Sequence, residues 1–307
     1  MAATDLVNIL DASKSLNDPL QQGVVEYFVE DNPVLDVMPF ITIDGDGYRY
    51  VQEYTNPVPT FRAINEDFQE SKYQTKRLTE TLAYFGGDLP IDVALARTNP
   101  RERASANAAM IKSMSMEWLH YFFKGDKSAS ASDEFNGIDK RLNDLNNGMV
   151  IDNGDAVLDL DALDEMMDSL SGGKASMLLM NQRMERILAK RIQSTQNVYL
   201  STSEVGQKYS TYNGVPIGIV GKRPQDAQTE VEILDFDGGA GSSASIYAIR
   251  FGDNGVHGIQ NAPIDVRDLG EDATSPKLKT RIDWDVSFVM KHPKCVARLD
   301  GITNALA

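Results

Sequence analysis

The longest uninterrupted helical signal in the chain runs from Asn99 to Gly125 and constrains everything around it. Asn99 can cap a helix, Pro100 stands in its first turn, and Glu102 follows the cap at three residues, the spacing of a capping box. No Gly or Pro interrupts Arg101 to Lys124, and Ala104, Ala108, Ile111, Met114, Trp118 and Phe122 recur on one face at three- and four-residue steps. Gly125 stops the pattern. At 1.5 Å per residue the helix is roughly 36 Å long, against a usual length of about 11–12 residues. A rod of this length serves as the backbone of a domain, because its apolar stripe needs partners over most of its length.

The segments before it read as strands. Ile41-Thr42-Ile43 leads through Asp44-Gly45-Asp46-Gly47, read as a hairpin turn, into Tyr48-Arg49-Tyr50-Val51-Gln52-Glu53-Tyr54 with tyrosines on one parity. A second alternating run, Thr75 to Phe85, follows a polar stretch carrying Arg62, Glu66, Asp67, Glu70 and Lys72. The two runs predict a long two-stranded arm with a polar tip. Such a ribbon is marginal alone in water, so a neighbouring molecule is its expected support. Residues 1–40 hold two short helical patterns, broken at Pro19 and Asn32-Pro33, and end in the apolar run Val34 to Phe40. They read as an arm with anchoring hydrophobes.

Beyond the long helix comes a Ser/Ala/Asp-rich connection, Lys127 to Asp133, then an acidic helix over Asp161–Leu170. A buried strand Ala175–Met180 feeds a basic amphipathic helix from Asn181 to Ile192. The remainder is strands: Tyr212–Ile217, Val231–Leu234, Ser245–Phe251, Val256–Gln260, Ile264–Leu269, Thr280–Met290 and Cys295–Leu299, with a glycine-rich loop over Asp237–Ser243. No repeat of fixed period is visible. The order of elements predicts an α+β chain, and 307 residues predict two lobes, since single cores stop growing at roughly 250–300 residues.

Residues for catalysis are missing. No G-x-x-x-x-G-K-[ST] run exists: Gly221-Lys222 is followed by Arg223, and Gly173-Lys174 fails likewise. His120, His257 and His292 form no HExxH or HxH pair, and no G-x-S-x-G elbow sets a nucleophile beside a base. The acidic set Asp152, Asp155, Asp159, Asp161, Asp164, Glu165 and Asp168 does not have EF-hand spacing and reads as a solvated helix start. We therefore expect no catalytic, cofactor-binding or metal-binding residues, and no enzyme.

Charge and cysteine content narrow the partners. With 45 acidic and 30 basic side chains the formal charge is −15, which argues against binding nucleic acid through its phosphates and suits a wall lying close to DNA without adhering to it. Cys295, the single cysteine, excludes an internal disulfide and reads as a buried strand residue. The start of the chain lacks the basic and apolar regions of a secretion signal, and no run of about 18 apolar residues spans a membrane.

Read in order, Phe85-Gly-Gly-Asp-Leu-Pro-Ile91 before the helix, the helix itself, Phe135-Asn136-Gly137-Ile138, Met180-Asn181-Gln182-Arg183, Tyr212-Asn213-Gly214-Val215-Pro216-Ile217 and the closing Val296-Ala297-Arg298-Leu299 resemble the major capsid proteins of tailed bacteriophages with the HK97-like fold. The resemblance spans nearly the whole chain through order and spacing; no single motif is specific. It implies residues 1–40 as N-terminal arm and 41–88 as extended loop. It further implies a peripheral domain of 89–139 and 261–307 with a spine helix at 100–124, and an axial domain of 140–260.

The resemblance also implies hexamers and pentamers that close into an icosahedral virion shell around double-stranded DNA, assembled in the host cytoplasm. The extended loop would lie over a neighbouring subunit, with Arg62, Glu66, Lys72, Lys76 and Arg77 as the inter-subunit contact candidates setting register. The chain starts at Met1 and reaches its anchoring hydrophobes within 40 residues, so a separate scaffolding protein is expected, and a decoration protein is compatible. Self-catalysed Lys–Asn crosslinks of some relatives are not expected, since Lys72 and Lys76 have no identifiable acidic partner. Two alternatives stay open: an encapsulin-type compartment shell of the same fold, and an unrelated α+β enzyme.

Overall fold

The computed structural model describes residues 7–9, 28–29, 32–55, 57–128, 133–195, 210–224, 229–234 and 243–303. Most of the helical patterns expected before Asn32, the Ala129–Ser132 stretch and most of the Asp237–Ser243 loop lie outside the described residues.

Two sheets share one long helix. The first contains β1 (Val7–Asn8), β2 (Pro39–Thr42), β5 (Ala83–Asp92), β13 (Val256–Gln260), β14 (Asp265–Glu271) and β15 (Lys277–Met290). β15 is its spine: antiparallel β5 runs along it from Lys277↔Asp92 to Val286↔Ala83, β14 pairs with it from Asp265↔Asp283, and β13 from Val256↔Met290. Alternation along β15 puts Ile282, Trp284, Val286, Phe288 and Met290 into the core.

The long helix α3 (Pro100–Lys124), which follows the short helices α1 (Pro33–Val37) and α2 (Val93–Thr98), lies on that row. Trp118 packs 5.9 Å from Trp284, and Phe122 packs 4.8 Å from Phe288, both measured between ring centroids. Such aromatic pairs supply both buried area and a defined geometry. The described part of the arm is fastened to the same helix. Asn32 caps α1 by accepting from the Val34 and Leu35 amides, and its Nδ2 donates to the Ser115 carbonyl at 3.2 Å.

The second sheet has the order β6-β16-β12-β7-β9-β8, built from β6 (Val150–Ala156), β7 (Met177–Asn181), β8 (Thr211–Tyr212), β9 (Val215–Val220), β12 (Ser243–Ile249) and β16 (Val296–Thr303). β7 is apolar on both parities because both of its faces are covered. Met177 and Leu179 join the α3 core, while Leu178 and Met180 face α5 (Leu160–Asp168) and α6 (Gln182–Thr195). Where the lobes meet, Asp139 of α4 (Ile138–Leu145) accepts from Tyr247 Oη at 2.6 Å and from Arg298 Nη1 at 3.1 Å. The same carboxylate pairs with Lys124 at 2.7 Å.

Several expectations are corrected. The capping box does not form, because Asn99 ends α2 with its amide on the Leu95 carbonyl, and its side chain makes no cap bond to α3. Asp44–Gly47 is no hairpin turn: β2 pairs with β1 and β13, whereas β3 (Gly47–Thr55) pairs only with β4 (Gln74–Thr81). The second alternating run is two strands, since Ala83 onward leaves the ribbon and joins β15. By strand pairing, Val256–Gln260 belongs to the first sheet and Val296–Thr303 to the second. Helices α2 and α4 and strand β6 were not foreseen.

Candidate functional site

The feature with no structural explanation inside one molecule is the ribbon. β3 and β4 pair from Gly47↔Thr81 to Thr55↔Gln74, and residues 57–73 form a strandless tip beyond them. Its root is packed and its tip is not. Tyr50 and Leu82 are buried against Ile259 and Val289, with Tyr48, Leu78 and Ile43 around them, and Gln52 Nε2 donates to the Met290 carbonyl at 3.3 Å. Tyr48 meets the His257 ring edge-on with centroids 6.0 Å apart. Burial and the neighbouring Glu80 carboxylate push the Tyr50 phenol well above its ordinary pKa, so it stays protonated.

At the tip, Phe61 is fully exposed, Ile64 is 90% exposed, Val58 67% and Phe68 65%. Large apolar side chains presented together on a protruding segment mark a surface meant for a partner. The tip holds some local order: Asn65 adopts φ +70, Arg62 Nη1 donates to the Glu66 carbonyl at 3.1 Å, and the Arg62 guanidinium lies 5.0 Å from the Phe68 ring centroid.

Arg62, Glu66, Lys72, Lys76 and Arg77 are all exposed, but they do not form one patch. Arg62, Glu66 and Lys72 lie in the tip. Lys76 stands opposite Gln52 on the row that continues the body-facing side, and Arg77 stands opposite Val51 on the other face. No flat partner can touch Lys76 and Arg77 together. The apolar tip residues are what charge-based reading missed; the signal available was the spacing of Val58, Phe61, Ile64 and Phe68 within a segment otherwise polar.

Elsewhere, Cys295, His257 and His120 are titratable groups set into packing with shifts that burial drives. Cys295 is fully buried and its thiol is pushed up to about 12 by desolvation. His257 is fully buried and held near 4 by the same cause. Burial also lowers His120. Among the described residues no group of three or more His, Cys, Asp or Glu is arranged to hold a metal ion, and no helix is long and apolar enough to cross a membrane.

Comparison with known proteins agrees with this geometry. The family model described as Major capsid protein GP7 matches residues 17–165. That match covers just under half of the chain, and together with the HK97-like capsid fold it supports a shell-forming capsid protein. The fold match extends over most of the chain. The SrpI encapsulin of Synechococcus elongatus has TM-score 0.64 at 14% identity, with 90% of this chain and 89% of that one covered. A chain from Microbacterium phage Oxtober96 has TM-score 0.61 at 12% identity, covering 88% and 90%. One from Mycobacterium phage Adephagia has TM-score 0.57 at 13% identity, covering 87% and 89%. No curated protein matches the sequence.

Proposed function

We propose that this capsid protein closes its shell through hexamers and pentamers in which the ribbon of each copy lies over the next, with Val58, Phe61, Ile64 and Phe68 as the anchors. The observation that carries this reading is the exposure of those four side chains at the end of a ribbon whose root is packed. An apolar anchor fully desolvated at a contact contributes more than a rim charge, which mainly sets orientation and encounter rate. Arg62, Glu66, Lys72, Lys76 and Arg77 accordingly tune register around the anchors. In the capsid naming of parts, 1–40 is the arm, 41–88 the extended loop, 89–139 with 261–307 the peripheral domain around the spine helix, and 140–260 the axial domain, with β13 and β16 exchanged between the last two by strand pairing.

The shell would enclose double-stranded DNA without reading its sequence, in keeping with the charge of −15, and no catalysis is part of this role. Assembly in the host cytoplasm with a separate scaffolding protein, and room for a decoration protein outside, complete the reading. The test is electron microscopy of the full chain carrying Phe61→Ser, Ile64→Ser and Phe68→Ser, expressed with its phage partners. We expect a folded protein with an unchanged melting temperature and no shells, whereas normal shells would remove the tip from the contact. Reversing Lys72, Lys76 and Arg77 together should weaken assembly less than the apolar triple. The similarity to an encapsulin favours a second reading as a cargo compartment; packaged DNA in purified particles supports the first, and enclosed protein the second.

A further inference from the structure

The ribbon is joined to the body by two short connections that lie side by side. One is Asp44-Gly45-Asp46, exposed, with Gly45 at φ +101 and open space where a Cβ would stand. The other is the single residue Leu82 between β4 and β5, and its amide donates to the Asp46 carbonyl at 2.9 Å. Two adjacent connections make one pivot. Apolar contacts at the root resist lifting but have little directional preference, so the angle of the ribbon rests on directional bonds: Gln52 Nε2 to the Met290 carbonyl, Lys127 Nζ to Thr81 Oγ1 beside the pivot, and a two-pronged ion pair.

Arg141 of α4 supplies it. Its Nη1 and Nη2 donate to the two oxygens of Glu80 on β4 at 2.6 and 3.1 Å, and Tyr50 Oη lies 3.3 Å from the same carboxylate. The guanidinium is itself fixed to the body: Nε donates to the Asn136 carbonyl at 2.8 Å, Nη2 to the Phe288 carbonyl at 3.2 Å, and its carbon lies 4.4 Å from the Phe288 ring centroid. A planar fork held on one side and engaging a carboxylate with both arms has one orientation, which a lysine cannot reproduce.

We propose that the Glu80–Arg141 pair is a positioning latch for assembly: it fixes the direction in which the ribbon leaves the body, so that the apolar tip reaches a second copy already aimed. This rests on the reading of the ribbon as the inter-subunit contact. An arm ordered beforehand loses less freedom on docking than one that swings, and the latch therefore lowers the concentration at which copies assemble.

The test uses the full chain with Ser71→Cys and Asp168→Cys, two exposed sites for spin labels; buried Cys295 stays unlabelled. Distances are measured below the assembly threshold in the parent and in Glu80→Gln and Arg141→Lys, alongside melting temperature and the threshold itself. We expect one narrow distance in the parent, a broad distribution in both variants, and a threshold raised about tenfold, equivalent to about 1.4 kcal/mol of contact energy. Equal distributions would overturn the latch, as would a broadened distribution with an unchanged threshold. If the parent forms no shells under any condition, the assembly reading fails, while the distances still decide whether the pair sets the ribbon's direction.

Discussion

His257 is enclosed by β15 and the root of the ribbon, with the Tyr48 ring against it, Asp253 and Lys291 as the nearest charges and the Gly252 backbone alongside. Neither ring nitrogen has a hydrogen-bond partner among the described residues. Desolvation is the largest cause of the fall to about 4, and the upward pull of Asp253 does not offset it. The neutral ring is therefore the folded form, and the unfolded chain binds the proton more readily. Stability from this site is complete above about 6.5 and is lost as pH falls toward 4, by about 3 kcal/mol over the interval. Denaturant titrations of the unassembled protein at pH 4.5 and 7 should show that difference, and His257→Leu should flatten it; an unchanged pH slope in the variant would assign the acid sensitivity to other groups. At this scale the sequence was informative where a residue's flanks were apolar. Cys295 before Val296-Ala297 reads as buried and is buried. It was uninformative at the tip, where five charges drew attention from Phe61, Ile64 and Phe68, because composition does not tell which side chains lack a core to enter.

The spine helix shows how far periodicity reaches. Its extent matches the uninterrupted run from Pro100 to Lys124, and Ile111, Met114, Trp118 and Phe122 of the expected stripe are buried. Ala104 is exposed and Ala108 only half-buried, because the stripe continues past the edge of what one copy packs against it. The start signal was misassigned for a physical reason: Asn99 serves as the end of α2, so its extended backbone and amide were already committed. Trp118 stacks on Phe122 at 5.3 Å and contacts Phe135 and Trp284, at the point where α3, β15 and the segment before α4 converge. Trp118→Ala should destabilise the unassembled protein by about 3–5 kcal/mol, whereas Ala104→Ser should change its stability little. Comparable losses from the two substitutions, measured by chemical denaturation, would mean that the helix is packed along its whole length. The ribbon was legible as two strands, but not its exit point. Alternation continues without a break from Lys76 to Phe85, and only pairing with β15 shows that the chain changes sheet at Leu82.

For the whole molecule, length predicts two lobes and the resemblance makes one of them discontinuous, and strand pairing interleaves the two sheets further. β13 returns to the first sheet and β16 to the second, so each sheet is completed by a strand that sequence distance assigns to the other lobe. Local patterns cannot show such exchange because both strands alternate in the same way. The charge of −15 is likewise a property of the whole, and it opposes bringing many copies together. The contact residues proposed here are mainly apolar, with charges of both signs around them. Raising ionic strength from about 0.01 to 0.15 M shortens the screening length from roughly 30 to 8 Å, which weakens repulsion between whole subunits while leaving apolar burial nearly unaffected. The threshold concentration for assembly, followed by light scattering, should therefore fall as salt rises over that range. Were ion pairs such as those offered by Lys72, Lys76 and Arg77 the main source of contact energy, the same titration would raise the threshold, and the apolar tip would lose its place as the anchor.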